Sequence, residues 1–176
     1  MPKLFHEART PVEFRPAWRL RDPDIERDAI AFWKSENLLP PTASIETRLS
    51  ELCVAGYAEG RIVALSTVLL RDVDFLGARL AMFRCAVAKE QRRNRLATVI
   101  AAHSREALEK WSLAHPEEDV RGMATVVQNA DLDAREARAI YRSSGLAFIG
   151  WTAQDEQFRL AWFEHARVPH RGTPRI

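Results

Sequence analysis

Arg92, Arg93 and Arg95 crowd the junction between an apolar run, residues 82–88, and the start of a helical pattern. Leu96, Val99, Ile100, His103, Ala107, Leu108 and Trp111 recur at three-to-four spacing, which predicts an amphipathic helix from residue 96 that ends before Pro116. A strand that passes through a basic turn into a helix N-terminus is an anion site. The first-turn N–H groups have no partner inside the helix, the helix dipole adds partial positive charge, and the guanidinium groups add full charge. Phosphate is the chemistry this suits. An exposed basic turn ahead of an ordinary helix is the bland alternative.

Other residues able to do chemistry are scattered. By alternation Met82, Arg84 and Ala86 share one face of the central strand, so Arg84 either binds a substrate carboxylate or phosphate or has a structural partner. That strand carries no carboxylate. Asp72, Asp74 and Glu156 are loop carboxylates, and nothing in the sequence selects one as a general base. His103 falls on the apolar helix face and reads as a core histidine, while His165 and His170 sit near the C-terminus. No set of His, Cys and carboxylates has the spacing of a metal site or a catalytic triad. Cys53 and Cys85 lie in apolar runs and read as buried thiols in a reducing compartment.

The elements that position these residues follow from pattern and punctuation. A chain of 176 residues, 47% hydrophobic, can form one well-cored domain. Its net charge of +2 argues against a nucleic-acid partner, and its four lysines among 26 basic residues mark an arginine bias of composition. No membrane-length apolar stretch is present, so a cytoplasmic location is expected and no membrane partner. Residues 1–17, with three prolines, are expected to be irregular, and residues 18–20 to form a short strand. Asp22-Pro23 opens a helix stopped by Pro40-Pro41. A short helix is expected over 44–50, then strands over 51–59 and 61–70 joined at Gly60. Residues 71–77 read as a polar connection, 80–88 as the central strand and 120–128 as a further strand. Asp133 and Glu136 form a capping box for a helix over 133–144, closed by Gly145 as a left-handed cap. Two strands follow over 147–152 and 158–163. The domain is expected to span 18–166, with 167–176 a loose tail.

This order, β, α, α, β, β, β, α, β, α, β, β, together with the strand, basic turn and helix at its centre, resembles the GNAT superfamily of acyl-CoA-dependent N-acyltransferases. The family pattern after the central strand is Arg or Gln, two free positions, Gly, one free position, then Gly or Ala. Arg92 fills the first position and Ala97 the last, while Arg95 stands where Gly is usual. The strand ending near Asn129 and the segment 137–146, with Tyr141 and Gly145, resemble the second half of the family. So does the hairpin at 58–63. The resemblance implies an α/β fold with a central mixed, mostly antiparallel sheet and helices on both faces. It implies that backbone groups of Cys85, Ala86 and Val87 hold a pantetheine arm and that the turn Arg92, Arg93, Asn94, Arg95, Leu96 and Ala97 holds a pyrophosphate. Asn129 would lie beside the pantetheine, and Tyr141 would be the general acid near the sulfur, unless its ring is simply core.

The function implied is transfer of an acetyl group from acetyl-CoA to a primary amine of a small molecule or peptide, without a metal. Two alternatives stay open: a protein of this fold that binds acyl-CoA without turnover, and a nucleic-acid-associated protein using the basic patch at 91–95. The patch lacks interleaved aromatics, which weighs against the last. Acceptor identity and oligomeric state, a homodimer included, are left open.

Overall fold

A computed structural model of the chain describes residues 11–39, 42, 44–128 and 138–167, with Arg93 and Asn94 described in backbone alone. Among the described residues eight strands form one sheet in the order β1-β2-β3-β4-β5-β8-β7-β6. They are β1 (Glu13–Pro16), β2 (Leu52–Ala58), β3 (Arg61–Val73), β4 (Ala78–Val87), β5 (Val120–Val127), β6 (Ile140–Tyr141), β7 (Leu146–Trp151) and β8 (Gln157–Trp162). Every neighbouring pair is antiparallel except β4 and β5, which are parallel and joined by the long helix α3 (Leu96–Ala114). A parallel pair needs such a crossover, since a tight turn can only reverse the chain.

The helix starts expected from sequence are made as their capping chemistry requires. Helix α1 (Pro23–Ser35) begins with the Asp22 side chain accepting from the N–H groups of Asp24 and Ile25 at 2.9 and 3.2 Å. Its buried residues Ile25, Ala29, Phe32 and Trp33 form one stripe. Helix α2 (Ile45–Ser50) is capped by Ser44, whose hydroxyl accepts from Thr47 N at 3.3 Å. The β2–β3 turn has both central residues at positive φ, Glu59 at 50° and Gly60 at 73°, the geometry whose twist suits a two-residue hairpin.

The faces of the sheet are identified by contacts. Ser66 on β3 hydrogen-bonds Ser104 of α3 at 2.8 Å, and Phe14 on β1 stacks on His103 of α3 at 4.4 Å. These residues mark the α3 face. Tyr57 on β2 bonds Asp28 of α1 at 3.1 Å, so α1 covers the opposite face. The main core fills both sides of β2, β3 and β4. A smaller cluster, Ala78, Leu80, Ala124, Phe158 and Leu160, forms where β4, β5 and β8 adjoin.

Several expectations are corrected. Residues 13–16, placed in the irregular N-terminal segment, form β1, and residues 18–20 are a turn rather than a strand. Trp18 is nonetheless buried, edge-on to Trp111 at 5.5 Å. The connection 71–77 is mostly strand: β3 runs to Val73 and a 3-10 turn, Asp74–Leu76, leads into β4. The stripe that α3 buries is Leu96, Ile100, Ala101, Ser104, Leu108 and Ser112, while Val99 and His103 are exposed. Two serines can lie inward because each finds a partner, Ser66 for one and the Val120 carbonyl for the other. Cys53 is buried as expected, but Cys85, near the end of β4, is exposed.

The helix expected over 133–144 is absent from its described part. Ile140 and Tyr141 pair with Ala147 and Leu146 as a hairpin, and residues 142–145 are its turn. Gly145 does take positive φ, 72°, but it closes that turn through its N–H to the Tyr141 carbonyl at 2.7 Å. Residues 133–137 lie outside the described residues, as do 168–176.

Candidate functional site

Strand β4 pairs with β3 along its whole length, Val73↔Ala78 to Ala64↔Val87, but with β5 only at Arg79, Ala81 and Met82. Beyond Met82↔Ala124, β5 stays with β8, through Thr125↔Arg159, Val126↔Phe158 and Val127↔Gln157. The β4–β5 ladder therefore stops partway. Across the gap the Thr125 hydroxyl donates to the Phe83 carbonyl at 3.0 Å. Past that point one edge of β4, at Cys85, Ala86 and Val87, has no strand against it among the described residues. A backbone edge of this kind offers donors and acceptors to an extended ligand lying along it.

The chain leaves this edge through buried Ala88 into a 3-10 turn, Lys89–Asn94, and then into α3. The helix is entered at Arg95 with φ 58° and ψ 20°, a left-handed conformation, and no side chain caps it. Its first bonds run from Thr98 N and Val99 N to the Arg95 carbonyl, so the N–H groups of Leu96 and Ala97 precede the helical ladder. No acidic side chain lies in the first turn. The dipole of a long helix and the exposed side chains of Arg92 and Arg95 thus act together at this end. Arg92 also reaches back, its Nε 3.4 Å from the Val87 carbonyl, and Lys89 N donates to the Glu36 carboxylate at 3.2 Å. A carboxylate already accepts from one N–H of the turn. Backbone donors with guanidinium groups beside them are the donor set a pyrophosphate takes.

On the face opposite α3 Arg84, nominated from sequence, meets a partner that sequence reasoning missed. Arg84 pairs with Thr67, the neighbour of inward-facing Ser66, so its side chain emerges on the α1 and α2 side. There Arg84 Nη2 approaches Glu51 Oε2 at 3.3 Å. The Arg84 side chain is 58% exposed and that of Glu51 only 12%. Glu51 ends α2, and only the packing of α2 on the sheet brings it to β4. An acidic residue just before a buried strand, on the strand's charged side, was the available signal.

Two of the carboxylates nominated from sequence stand elsewhere. Asp72 and Asp74 lie by the start of β4, about 30 Å by strand rise from its other end. Glu156 is next to Gln157, which pairs with Val127 at the end of β5.

Tyr141 is placed by the β6–β7 hairpin at the far edge of the sheet. It sits on β6, three strand steps from β5, roughly 14 Å at ordinary spacing. Its ring lies under the Arg159 guanidinium, 3.9 Å from centroid to Cζ. The acid role rested on the last turn of a helix that residues 138–144 do not form. Asn129 lies outside the described residues, as do the side chains of Arg93 and Asn94. Two concavities, about 340 and 350 Å³, flank α3. One is lined by Val99, Arg105, Glu109 and Ser143 among others and the second by Phe14, Trp18, Leu20 and Trp111, so neither includes the basic turn or the Arg84–Glu51 pair. Among the described residues no three His, Cys, Asp or Glu side chains are grouped to hold a metal. None of the described helices is long and apolar enough to cross a membrane.

No family model and no curated protein matches the sequence. Solved structures do match the fold. The Salmonella typhimurium acetyltransferase-type protein yncA, solved with acetyl-CoA, superposes with a TM-score of 0.54 at 13% identity, over 91% of this chain and 99% of that one. Diaminobutyrate acetyltransferase from Paenibacillus lautus, solved with its substrate and coenzyme A, gives 0.51 at 16% identity over 91% and 99%. A GNAT-family acetyltransferase from Streptococcus pneumoniae gives 0.52 at 14% identity over 85% and 96%. The chain has the GNAT fold.

Proposed function

We propose that this chain, built on the GNAT fold, transfers an acetyl group from acetyl-CoA to a primary amine. The observation that carries the reading is the junction of two features. The β4–β5 ladder stops at Met82↔Ala124, and the strand so released runs through a basic turn into α3 by way of left-handed Arg95. An extended ligand with a pyrophosphate at one end suits that junction.

The residues present suit the ligand. The N–H groups of Leu96 and Ala97 and the side chains of Arg92 and Arg95 take the phosphates, and the backbone of Cys85, Ala86 and Val87 holds the arm. When bound, the thioester supplies an acyl carbon to which the amine lone pair bonds as the C–S bond breaks towards sulfur. The protein orients the amine and the strand edge, keeps bulk water off the closed side of the sheet, and provides donors for the carbonyl oxygen. One proton leaves the attacking nitrogen and one reaches the departing sulfur, so acid–base groups near the opening are rate-determining candidates.

The test is direct. Titration calorimetry with coenzyme A in phosphate-free buffer is expected to show one-to-one binding, followed by acetyl-CoA turnover against a panel of amines. Absence of binding at millimolar coenzyme A would refute the reading. Binding without turnover on any amine would leave the fold as a coenzyme A receptor only.

A further inference from the structure

The face of the sheet opposite α3 carries a mixed patch beside its charged pair. Register places Thr67 against Arg84 and Leu69 against Met82, so these four side chains form a patch on two adjacent strands. Leu69 is 38% exposed, Met82 and Thr67 are half-buried, and the Arg84 side chain is largely in solvent. Met82 is also the last residue of β4 paired to β5, so the patch borders the opening. Glu51 stands over one end of it, its side chain 12% exposed and its carboxylate 3.3 Å from a single guanidinium nitrogen. A guanidinium has five donors in a planar fork, and this contact uses one of them. Glu51 keeps part of its side chain open to solvent, so its carboxylate can accept from a second cation as well as from Arg84.

On that geometry we infer that the acceptor is zwitterionic, an amine that also bears a carboxylate or a phosphate. Arg84 takes the anionic group with its unused donors, Glu51 takes the ammonium, and the stem lies across Met82 and Leu69. The arrangement adds two complementary ionic contacts beside the existing one. A neutral-tailed amine leaves the Arg84 donors to water and gains only the Glu51 contact. The inference rests on the acyltransferase reading, and it adds the class of acceptor.

The experiment compares matched acceptors: amino acids against the amines lacking their carboxylate, such as lysine against cadaverine, and phosphoethanolamine against ethanolamine. Binding of each to the coenzyme A complex is measured by calorimetry beside kcat/KM. The anionic member of a pair is expected to be preferred about ten- to hundredfold, as for a charge-assisted hydrogen bond. Arg84→Gln should bring that ratio near one by raising KM, with Arg84→Lys restoring part of it. Which pair shows the larger ratio tells carboxylate from phosphate. Equal use of charged and uncharged amines by the wild type overturns the inference and leaves the acyltransferase reading standing. So does a lowered melting temperature in Arg84→Gln with the preference intact, since that is the signature of a structural pair. Failure of coenzyme A to bind overturns both readings, and the calorimetry detects it separately.

Discussion

Position 95 offers a test in which the sign of the effect is the result. Arg95 has φ 58° at the entry to α3, where its side chain is exposed and caps nothing. A Cβ in the left-handed region costs about 1–2 kcal/mol. Glycine escapes that cost but loses about 0.4–1 kcal/mol through the freedom of its unfolded chain. Arg95→Gly should therefore be more stable than Arg95→Ala by about 0.5–1 kcal/mol. In an ordinary helical conformation the order reverses, with alanine better by about 1 kcal/mol. Urea denaturation resolves a difference of this size, and the melting temperature should move by about 2–4 °C per kcal/mol in a domain of this length. An Ala variant more stable than the Gly variant would refute a left-handed residue 95 and, with it, the geometry of the turn. Affinity gives a second readout. Both variants lack the guanidinium, and an exposed ion pair contributes about 1 kcal/mol, so each should bind coenzyme A about fivefold more weakly than wild type. Tighter binding by Arg95→Gly would mean that the side chain obstructs the phosphates.

The remaining expectations concern single groups. Burial pushes the Cys53 thiol up to about 12, whereas an unfolded thiol ionises near its ordinary value of about 8.5. The folded state then holds a proton that the unfolded chain has lost, so stability falls as pH rises above about 8.5 and the loss ends near 12. Burial of its sulfur pushes the Cys85 thiol up to about 12 as well, although the residue is exposed, so in native protein a thiol reagent at pH 8 should label Cys85 slowly and Cys53 only after denaturation; a Cys53 that reacts as readily as Cys85 would contradict the packing of β2. Ser104→Ala removes the hydroxyl that meets Ser66 at 2.8 Å and should cost about 1 kcal/mol in urea unfolding, since Ser66 keeps its bond to the Val54 carbonyl. Tyr141→Phe keeps the ring under Arg159 and should leave single-turnover acetyl transfer within a few fold of wild type; a hundredfold fall would place the hydroxyl at the sulfur and contradict the β6 placement.

Much of the fold was legible in local pattern because its signals are local. Asp22-Pro23 and Ser44 cap helices with their own side chains, and Glu59-Gly60 turns the chain by its own dihedral freedom. Alternation along β4 put Arg84 on one face without knowledge of what faced it. The apolar run, basic turn and helix at 82–114 likewise followed from order along the chain. Where several helical registers share apolar residues, periodicity misjudged the face. Val99 and His103 suit a stripe as well as Ala101 and Ser104 do, and only the hydroxyl of Ser66 across the interface decides for Ser104. The helix expected at 133–144 shows the same limit, because residues 140 and 141 can also pair with a strand, and β7 supplies the partner.

What tertiary structure alone decided are relations between residues distant in sequence. The stop in the β4–β5 ladder depends on β5 following β8, which no local pattern of either strand states. The backbone of Arg95 is left-handed where the chain turns from the end of β4 into α3, and the residue type gives no sign of it, the one hint being that the resembled pattern has Gly at that position. Glu51 meets Arg84 across 33 residues, through the seat of α2 on the sheet. By itself the sequence determined which segments could be helix or strand and where positive charge would collect, since both are written within a few residues. The opening, the turn's handedness and the Glu51–Arg84 pair came from packing, because each needs two elements to be held side by side.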